Sequence, residues 1–156
     1  MHPDDIPNFI ANYGPNDERF IRFEWNGKPP DDFEDANMDF REAVIEAVVE
    51  DLDAAPILLV RDLYRAETRF SAEAWCIGGE VGRLGEHLLR RGEDLYIEDY
   101  LDGKDQSFDA HVRTDFLVDR PLAEHLLGVV RLRLESAADE ESIELLSGAR
   151  SCSRGG

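Results

Sequence analysis

A stripe of carboxylates at helical spacing is the feature that most constrains how this chain can fold. Between residues 35 and 53, acidic residues recur at intervals of three and four. They are Asp35, Asp39, Glu42, Glu46, Glu50 and Asp53. This spacing places them on one face of an α-helix, where like charges four residues apart repel by ~0.2–0.5 kcal/mol per pair. Such a helix needs a neutralising partner within the chain, a binding partner outside it, or stability to spare.

The rest of the same segment predicts a helix that is buried on more than one side. Apolar residues follow the helical period from Phe33 to Val48, and further apolar residues such as Ile45 widen that face. Only the acidic sector remains polar, which is typical of a helix with several packing neighbours. We therefore predict the first long helix from about residue 35 to residue 53.

The next segment predicts two further helices. Apolar residues keep a heptad-like spacing from Leu59 to Leu88. Ser71 is a candidate N-cap, and Gly78-Gly79 weakens the middle of the segment, so two helices are favoured over one. The later of them is predicted near residues 72–91.

The first of these two helices carries the charge opposite to the acidic stripe, because arginines recur on it every four residues. An antiparallel helix pair over residues 35–70, turning near residues 53–54, would bring the two charged stripes together on the same flank of the interface. The predicted ion pairs are Glu46 with Arg61, Glu42 with Arg65, and Asp39 with Arg69. These ion pairs would neutralise three of the six carboxylates of the stripe without an external partner.

Two segments show the alternation that is typical of strands. Period two predicts strands at residues 18–25 and 108–118, although a helix capped by Ser107 competes for the second. Pro121 begins a last major helix near residues 121–136. The predicted fold class is therefore a predominantly α-helical α+β single domain with an antiparallel helix hairpin core. An all-α bundle is the alternative.

Length and composition predict one globular domain over residues 1–148. The chain has 156 residues, of which 33% are charged and 42% apolar. These values suit one hydrophobic core rather than a disordered chain. Residues 1–17 contain three prolines and predict a loosely attached arm. The small and polar residues at 149–156 predict a disordered tail.

The net charge of −18 is distributed unevenly. Residues 1–53 carry −11 and residues 93–120 carry −6, whereas residues 54–92 carry +1. This acidity disfavours direct binding to nucleic acid or to an anionic membrane, and it favours a basic protein partner. The two cysteines form no CxxC pair, and the N-terminal residues lack the pattern of a signal peptide. We therefore predict a cytoplasmic location.

A small metal-assisted hydrolase is the alternative to a binding protein. Asp109, His111 and Asp115 would share one face of the predicted strand, and carboxylates and imidazole are metal ligands. An exposed strand face explains the same residues. The chain lacks the Glu-x-x-His motif of di-iron bundles, the Gly-x-Ser-x-Gly of hydrolases and the phosphate-binding P-loop. The sequence favours a non-enzymatic protein over an enzyme and predicts no catalytic residue, metal or cofactor.

The favoured function is a non-enzymatic protein-interaction module that binds a basic partner surface. The predicted hairpin leaves charge at the ends of the acidic stripe and in the later acidic segment. The predicted partner-binding residues are Asp31, Asp32, Asp35, Glu50, Asp99, Asp102 and Asp105. Mimicry of DNA is a further alternative, but one carboxylate per ~5.4 Å of helix is sparser than one phosphate per ~3.4 Å of a DNA strand.

Overall fold

The computed structural model describes residues 5–28, 32–74, 78–114 and 120–136. Most of this part of the chain is helical. The α-helices are α1 (Ile6–Ala11), α2 (Met38–Glu50), α3 (Ile57–Ala74), α4 (Val81–Gly92), α5 (Ile97–Asp105), α6 (Phe108–Arg113) and α7 (Arg120–Ser136), with 3₁₀ helices at Pro15–Phe20 and Glu93–Tyr96. Over the described residues the fold is an all-helical bundle, and none of the described helices is long and apolar enough to cross a membrane.

The predicted strand at residues 108–118 is wrong over the part that the structure describes. The Ser107 hydroxyl accepts a hydrogen bond from the amide of Ala110 at 3.0 Å. This N-cap begins α6, which runs over Phe108–Arg113. The cap satisfies an amide that would otherwise lack a partner at the start of the helix, so a local signal prevails over the alternating pattern. Residues 115–119 lie outside the described part.

The predicted strand at residues 18–25 is also wrong. Its first residues belong to the 3₁₀ helix that begins at Pro15, where the Asp17 carboxylate accepts a hydrogen bond from the amide of Gly14 at 3.0 Å. The fixed φ of proline suits the first turn of a helix. Within the segment, Trp25 forms an isolated antiparallel bridge with Asp35. The alternation of residues 18–25 therefore does not become a sheet in the described chain.

Helix α3 lies at the centre of the core and packs against α4. A Cβ on Gly85 of α4 would lie 3.0 Å from the ring of Tyr64 on α3. The guanidinium of Arg91 donates to the carbonyls of Asp53 and Ala55 at 2.8 and 2.7 Å. The end of α4 thus meets the start of α3, so the two helices run antiparallel. Their buried apolar side chains include Leu59, Val60, Leu63, Leu84 and Leu88.

Helix α2 joins the same core with a rotation that differs from the prediction. Arg41 on α2 contacts Glu67 on α3, which is the antiparallel register that would pair Asp39 with Arg69. Arg41 and Glu67 are both buried, however, so the acidic stripe of α2 turns away from α3. The apolar side chains that α2 buries are Val44, Ile45 and Val48.

Hydrogen bonds from two tyrosines connect α3 to α5, and α5 to the end of α6. The Tyr64 hydroxyl donates to the carbonyl of Tyr100 at 2.8 Å, and the Tyr100 hydroxyl donates to the carbonyl of Thr114 at 2.7 Å. The two rings stack with their centroids 5.9 Å apart. Gly103 lies so close to Tyr64 that any side chain at this position would overlap the ring. Glycine is therefore required here by packing.

The N-terminal segment packs on the core instead of forming the predicted loose arm. Phe9 and Tyr13 are buried, and the Tyr13 hydroxyl donates to the Asp62 carboxylate at 2.8 Å. Near the other end, α7 confirms the helix predicted at residues 121–136, and it buries Leu126 and Val130. The predicted tail at 149–156 lies outside the described residues.

Candidate partner-binding surface

The solvent-facing side of α2 carries four carboxylates, which we call the α2 acidic face. They are Asp39, Glu42, Glu46 and Glu50. All four are exposed, and none forms a salt bridge with another described residue. Neighbouring members repel each other at this spacing. The burial of the opposite side of α2 in the core offsets this repulsion and holds the charges in a row.

The arginines of α3 do not neutralise this face. Arg61 Nη2 lies 2.6 Å from Asp62 Oδ1, and Arg65 Nε lies 3.6 Å from Asp99 Oδ1. Arg69 is exposed and pairs with no described carboxylate. The three predicted ion pairs between the stripes are therefore wrong. The cause is the rotation of α2, because a wide apolar sector does not determine which part of it faces α3.

The two ends of the predicted stripe have different surroundings. The side chain of Asp35 is fully buried, with its Oδ2 atom 2.7 Å from Nη1 of Arg41, so it is not available to a partner. Asp53 is exposed, and its Oδ1 atom lies 3.8 Å from Nδ1 of His87. Glu50 is exposed and unpaired as predicted, and Asp39, Glu42 and Glu46 are exposed and unpaired although ion pairs with α3 were predicted for them.

Arg41 is the centre of a buried ionic cluster. Its Nε atom donates to Glu67 Oε1 at 2.7 Å, and its Nη1 atom forms a close ion pair with Asp35. Asp35 Oδ1 accepts hydrogen bonds from the amides of Glu24 and Asn37 at 3.0 and 3.2 Å. Buried ion pairs contribute little net stability, but loss of one partner costs about 3–5 kcal/mol. The cluster therefore fixes the loop before α2 to both α2 and α3.

A groove lies between α2 and the loop that leads into α4, and we call it the acidic groove. Its volume is about 290 Å³. The residues that line it are Glu42, Ile45, Glu46, Glu67, Gly78, Gly79, Glu80 and Val81. Gly78 approaches Glu67 so closely that a side chain at this position would overlap the carboxylate. Four glutamates thus line the groove, of which Glu67 pairs with Arg41 and Glu80 pairs with Arg83, and its apolar lining residues are Ile45 and Val81.

The predicted acids on α5 do not form one surface with α2. Asp99 is half-buried beside Arg65, and its burial raises the pKa of its carboxyl above the usual range. Asp102 and Asp105 are exposed. The predicted partner-binding acids that the structure leaves exposed are Asp32, Glu50, Asp102 and Asp105, whereas Asp31 lies outside the described residues.

Metal-assisted catalysis was predicted from a shared strand face, and the described residues do not form this face. Asp109 and His111 lie on helix α6 and not on a strand. Residues two apart on a helix project about 200° apart, so these side chains do not share a face. Asp115 lies outside the described residues. Within the described ranges, no group of three or more His, Cys, Asp or Glu residues is arranged to hold a metal ion.

The fold and surface together define the class: over its described residues, the protein is an acidic all-helical bundle with a groove lined by carboxylates. Comparison with protein-family models, curated proteins and solved structures gives no match for this chain. The functional conclusion therefore rests on the geometry of the α2 acidic face and the acidic groove.

Proposed function

We propose that this chain is a non-enzymatic interaction module that binds a basic surface of a partner protein through the α2 acidic face and the acidic groove. The observation that carries the proposal is the row of exposed carboxylates on α2 that no described arginine neutralises. A bound cation would relieve the repulsion within this row. The class of partner is the one predicted from the sequence. Glu50 stays among the binding residues, Asp35 leaves them because it is buried, and Asp39, Glu42 and Glu46 join them.

The chemistry of the acidic groove suits a lysine or arginine side chain. Each of these side chains combines an apolar stem with a charged head. The stem would lie against Ile45, which keeps a small exposed fraction above the fully buried Val81. The head would lie between Glu42 and Glu46, whereas Glu80 beside them already pairs with Arg83 at 2.8 Å. One basic side chain would therefore satisfy both parts of the groove lining.

The support beneath this surface is rigid. Glu67 belongs both to the groove lining and to the buried cluster around Arg41. Because the cluster and the apolar side of α2 are buried, the carboxylates are presented by a preformed helix rather than by a loop. Preorganised charges lose less entropy when a partner binds.

The charge of the chain extends the attraction beyond direct contact. Residues 1–53 carry −11 of the total −18. The Debye length is about 8 Å at physiological ionic strength, so interactions between exposed charges weaken as salt is added. We therefore expect fast, salt-sensitive association with a basic protein and no direct binding to nucleic acid. A cytoplasmic location belongs to the same proposal, in keeping with two cysteines that form no CxxC pair.

Two charge-matched variants test the proposal. The first is Glu42→Gln with Glu46→Gln and Glu50→Gln, and the second is Asp102→Asn with Asp105→Asn and Asp109→Asn. Each removes three exposed charges. Fluorescence anisotropy with a labelled oligo-lysine peptide, at low and at physiological salt, measures the dissociation constant.

The first variant should bind the peptide roughly three- to hundred-fold more weakly, at ~0.2–1 kcal/mol for each exposed ion pair that is lost. The second should bind nearly as tightly as the wild type. Equal losses in the two variants would mean that the peptide responds only to net charge, and this would contradict a binding site on α2.

A further inference from the structure

Three aromatic side chains from the loop before α2 meet the ring of Phe70 on α3. They are Phe23, Trp25 and Phe33, and we call the four residues the aromatic platform. Trp25 and Phe33 stack with their centroids 6.3 Å apart and 28° between their planes. Phe23 and Phe33 stack at 6.3 Å and 19°. Phe70 of α3 lies edge-on to Phe23 and Phe33, at 6.1 and 5.8 Å. Phe23, Phe33 and Phe70 are half-buried, so the platform reaches the surface at Trp25.

The buried cluster holds the aromatic platform in place. The Cζ atom of Arg41 lies 5.6 Å from the centroid of the Phe70 ring. Asp35, the ion-pair partner of Arg41, forms the antiparallel bridge with Trp25. Because Arg41 also contacts Glu67 in the acidic groove, the platform and the groove are connected through one rigid cluster.

Trp25 exposes π surface rather than a polar group. Its side chain is 41% exposed, and its indole Nε1 already donates to the carbonyl of Lys28 at 3.1 Å. Tryptophan has no other hydrogen-bonding group. The exposed part of the ring therefore carries no unsatisfied hydrogen-bond donor. It lies at the outer end of the stack.

Charges of mainly negative sign surround the aromatic platform. Asp32 and Glu34 are exposed and form no salt bridge with a described residue. Glu24 is exposed and pairs with Arg22 at 3.1 Å. Besides Arg22, the described part of this loop contains one further basic residue, Lys28. The excess of carboxylates matches the sign of the α2 acidic face, so both surfaces complement the same cationic partner.

We propose that the aromatic platform receives an arginine side chain of the basic partner, an inference that rests on the proposed function. The guanidinium is planar, stacks on aromatic faces and is more weakly hydrated than the ammonium of lysine. Tryptophan is the ring that attracts cations most strongly. Arg41 above Phe70 is an instance of the same contact inside the protein. The platform thus adds a preference for arginine to the general attraction of the acidic groove.

Labelled oligo-arginine and oligo-lysine peptides of equal length test this inference. We expect the wild-type chain to bind the arginine peptide about two- to five-fold more tightly, which is the scale of a cation–π contact at an exposed site. Trp25→Leu keeps an apolar side chain and removes the π face, so it should abolish the preference by weakening oligo-arginine binding more than oligo-lysine binding. Trp25→Phe should retain part of the preference. Thermal unfolding of each variant reports whether the fold is intact.

The triple glutamate variant of α2 separates this inference from the proposed function. It should weaken the binding of both peptides by the same factor and preserve the ratio of their dissociation constants. The platform inference is overturned if the wild type shows no preference, or if both tryptophan variants keep the full preference. The proposed function is overturned instead if the triple glutamate variant binds both peptides as tightly as the wild type.

Discussion

Arg41 and Glu67 form an ion pair in the core of the bundle, with 2.7 Å between Nε and Oε1 and side chains that are 1% and 7% exposed. The contact joins α2 to α3 beside the acidic groove. Asp35 contacts the same guanidinium from the loop before α2, so a single cation serves two buried carboxylates. Removal of Arg41 would therefore leave both carboxylates buried without a counter-ion.

Arg41→Met should lower the free energy of unfolding by about 3–5 kcal/mol, because each carboxylate would keep its desolvation cost without its partner. Adding Asp35→Asn and Glu67→Gln should restore part of this loss, since no charge then stays buried alone. Urea unfolding measures each variant. Arg22→Met is the control, because its surface pair with Glu24 contributes at most about 1 kcal/mol. A comparable loss in the two arginine variants would contradict the buried cluster.

Two double-mutant cycles test the rotation of α2. Arg65→Met with Asp99→Asn should show a coupling of up to about 1 kcal/mol, because these partly exposed groups form an ion pair at 3.6 Å. Arg65→Met with Glu42→Gln should be close to additive, since Glu42 is unpaired on the α2 acidic face. The couplings come from unfolding free energies of the single and double variants. A larger coupling for Glu42 than for Asp99 would favour the ion pairs predicted from the sequence.

Two helical glycines should respond to alanine in opposite directions. A Cβ at Gly103 would overlap the ring of Tyr64, so Gly103→Ala should destabilise the protein by about 1–3 kcal/mol. A Cβ at Gly128 in α7 would meet open space, so Gly128→Ala should stabilise it by about 0.5–1 kcal/mol through helix propensity. Thermal unfolding followed by circular dichroism measures both. Similar shifts of the same sign would contradict the close contact between α3 and α5.

His87 should make the protein less stable in mild acid. Its burial lowers the pKa of the imidazole below 6.5, Arg91 acts in the same direction, and Asp53 opposes them. Its Nε2 atom is buried without a hydrogen-bond partner among the described residues, so a proton there would find no acceptor. The unfolded chain therefore takes up the proton first as the pH falls. The contribution of His87 to stability is fully present above about pH 6.5 and is lost as the pH falls towards the folded-state pKa.

His87→Gln removes this titration. We expect the free energy of unfolding of the wild type to fall more between about pH 8 and pH 5 than that of the variant. His125→Gln is the control, because His125 is exposed on α7. Identical pH profiles for the wild type and His87→Gln would contradict the burial of this imidazole.

Local signals predicted much of the helical framework. Pro121 lies in the first turn of α7, and Ser107 is the N-cap of α6. These signals act within one turn of the chain, so neighbouring residues suffice to recognise them. Ser71 was interpreted wrongly as a cap, because it lies inside α3 and its hydroxyl pairs with that of Ser107 at 2.7 Å. That contact depends on the tertiary fold.

The buried cluster was missed, although one signal pointed to it. Arg41 is a single charge on the row of α2 that contains Val44 and Val48, and such a charge on an apolar row needs a buried counter-ion. Its partner Glu67 is 26 positions away in the chain. Helical periodicity predicts which residues share a face, but it does not predict which neighbouring helix that face meets. For this reason the row of carboxylates on α2 was predicted correctly, whereas its predicted ion pairs with α3 are wrong.

The alternation at residues 18–25 was partly informative. It placed Phe23 and Trp25 on one face, and both rings do stack on Phe33. The expected sheet failed because its second strand is replaced by α6 over the described residues. Extended backbone thus occurs near Trp25 without a partner strand beyond the single bridge to Asp35.

The most direct test of binding at the α2 acidic face is to locate the bound cation on the full-length chain. Amide nitrogen–proton NMR spectra recorded during titration with oligo-lysine identify the residues whose environment changes. We expect the largest changes at Glu42, Glu46 and Glu80, and we expect added salt to reverse them. Changes spread evenly over all exposed acids, or confined to α5 around Asp102, would contradict the proposed site.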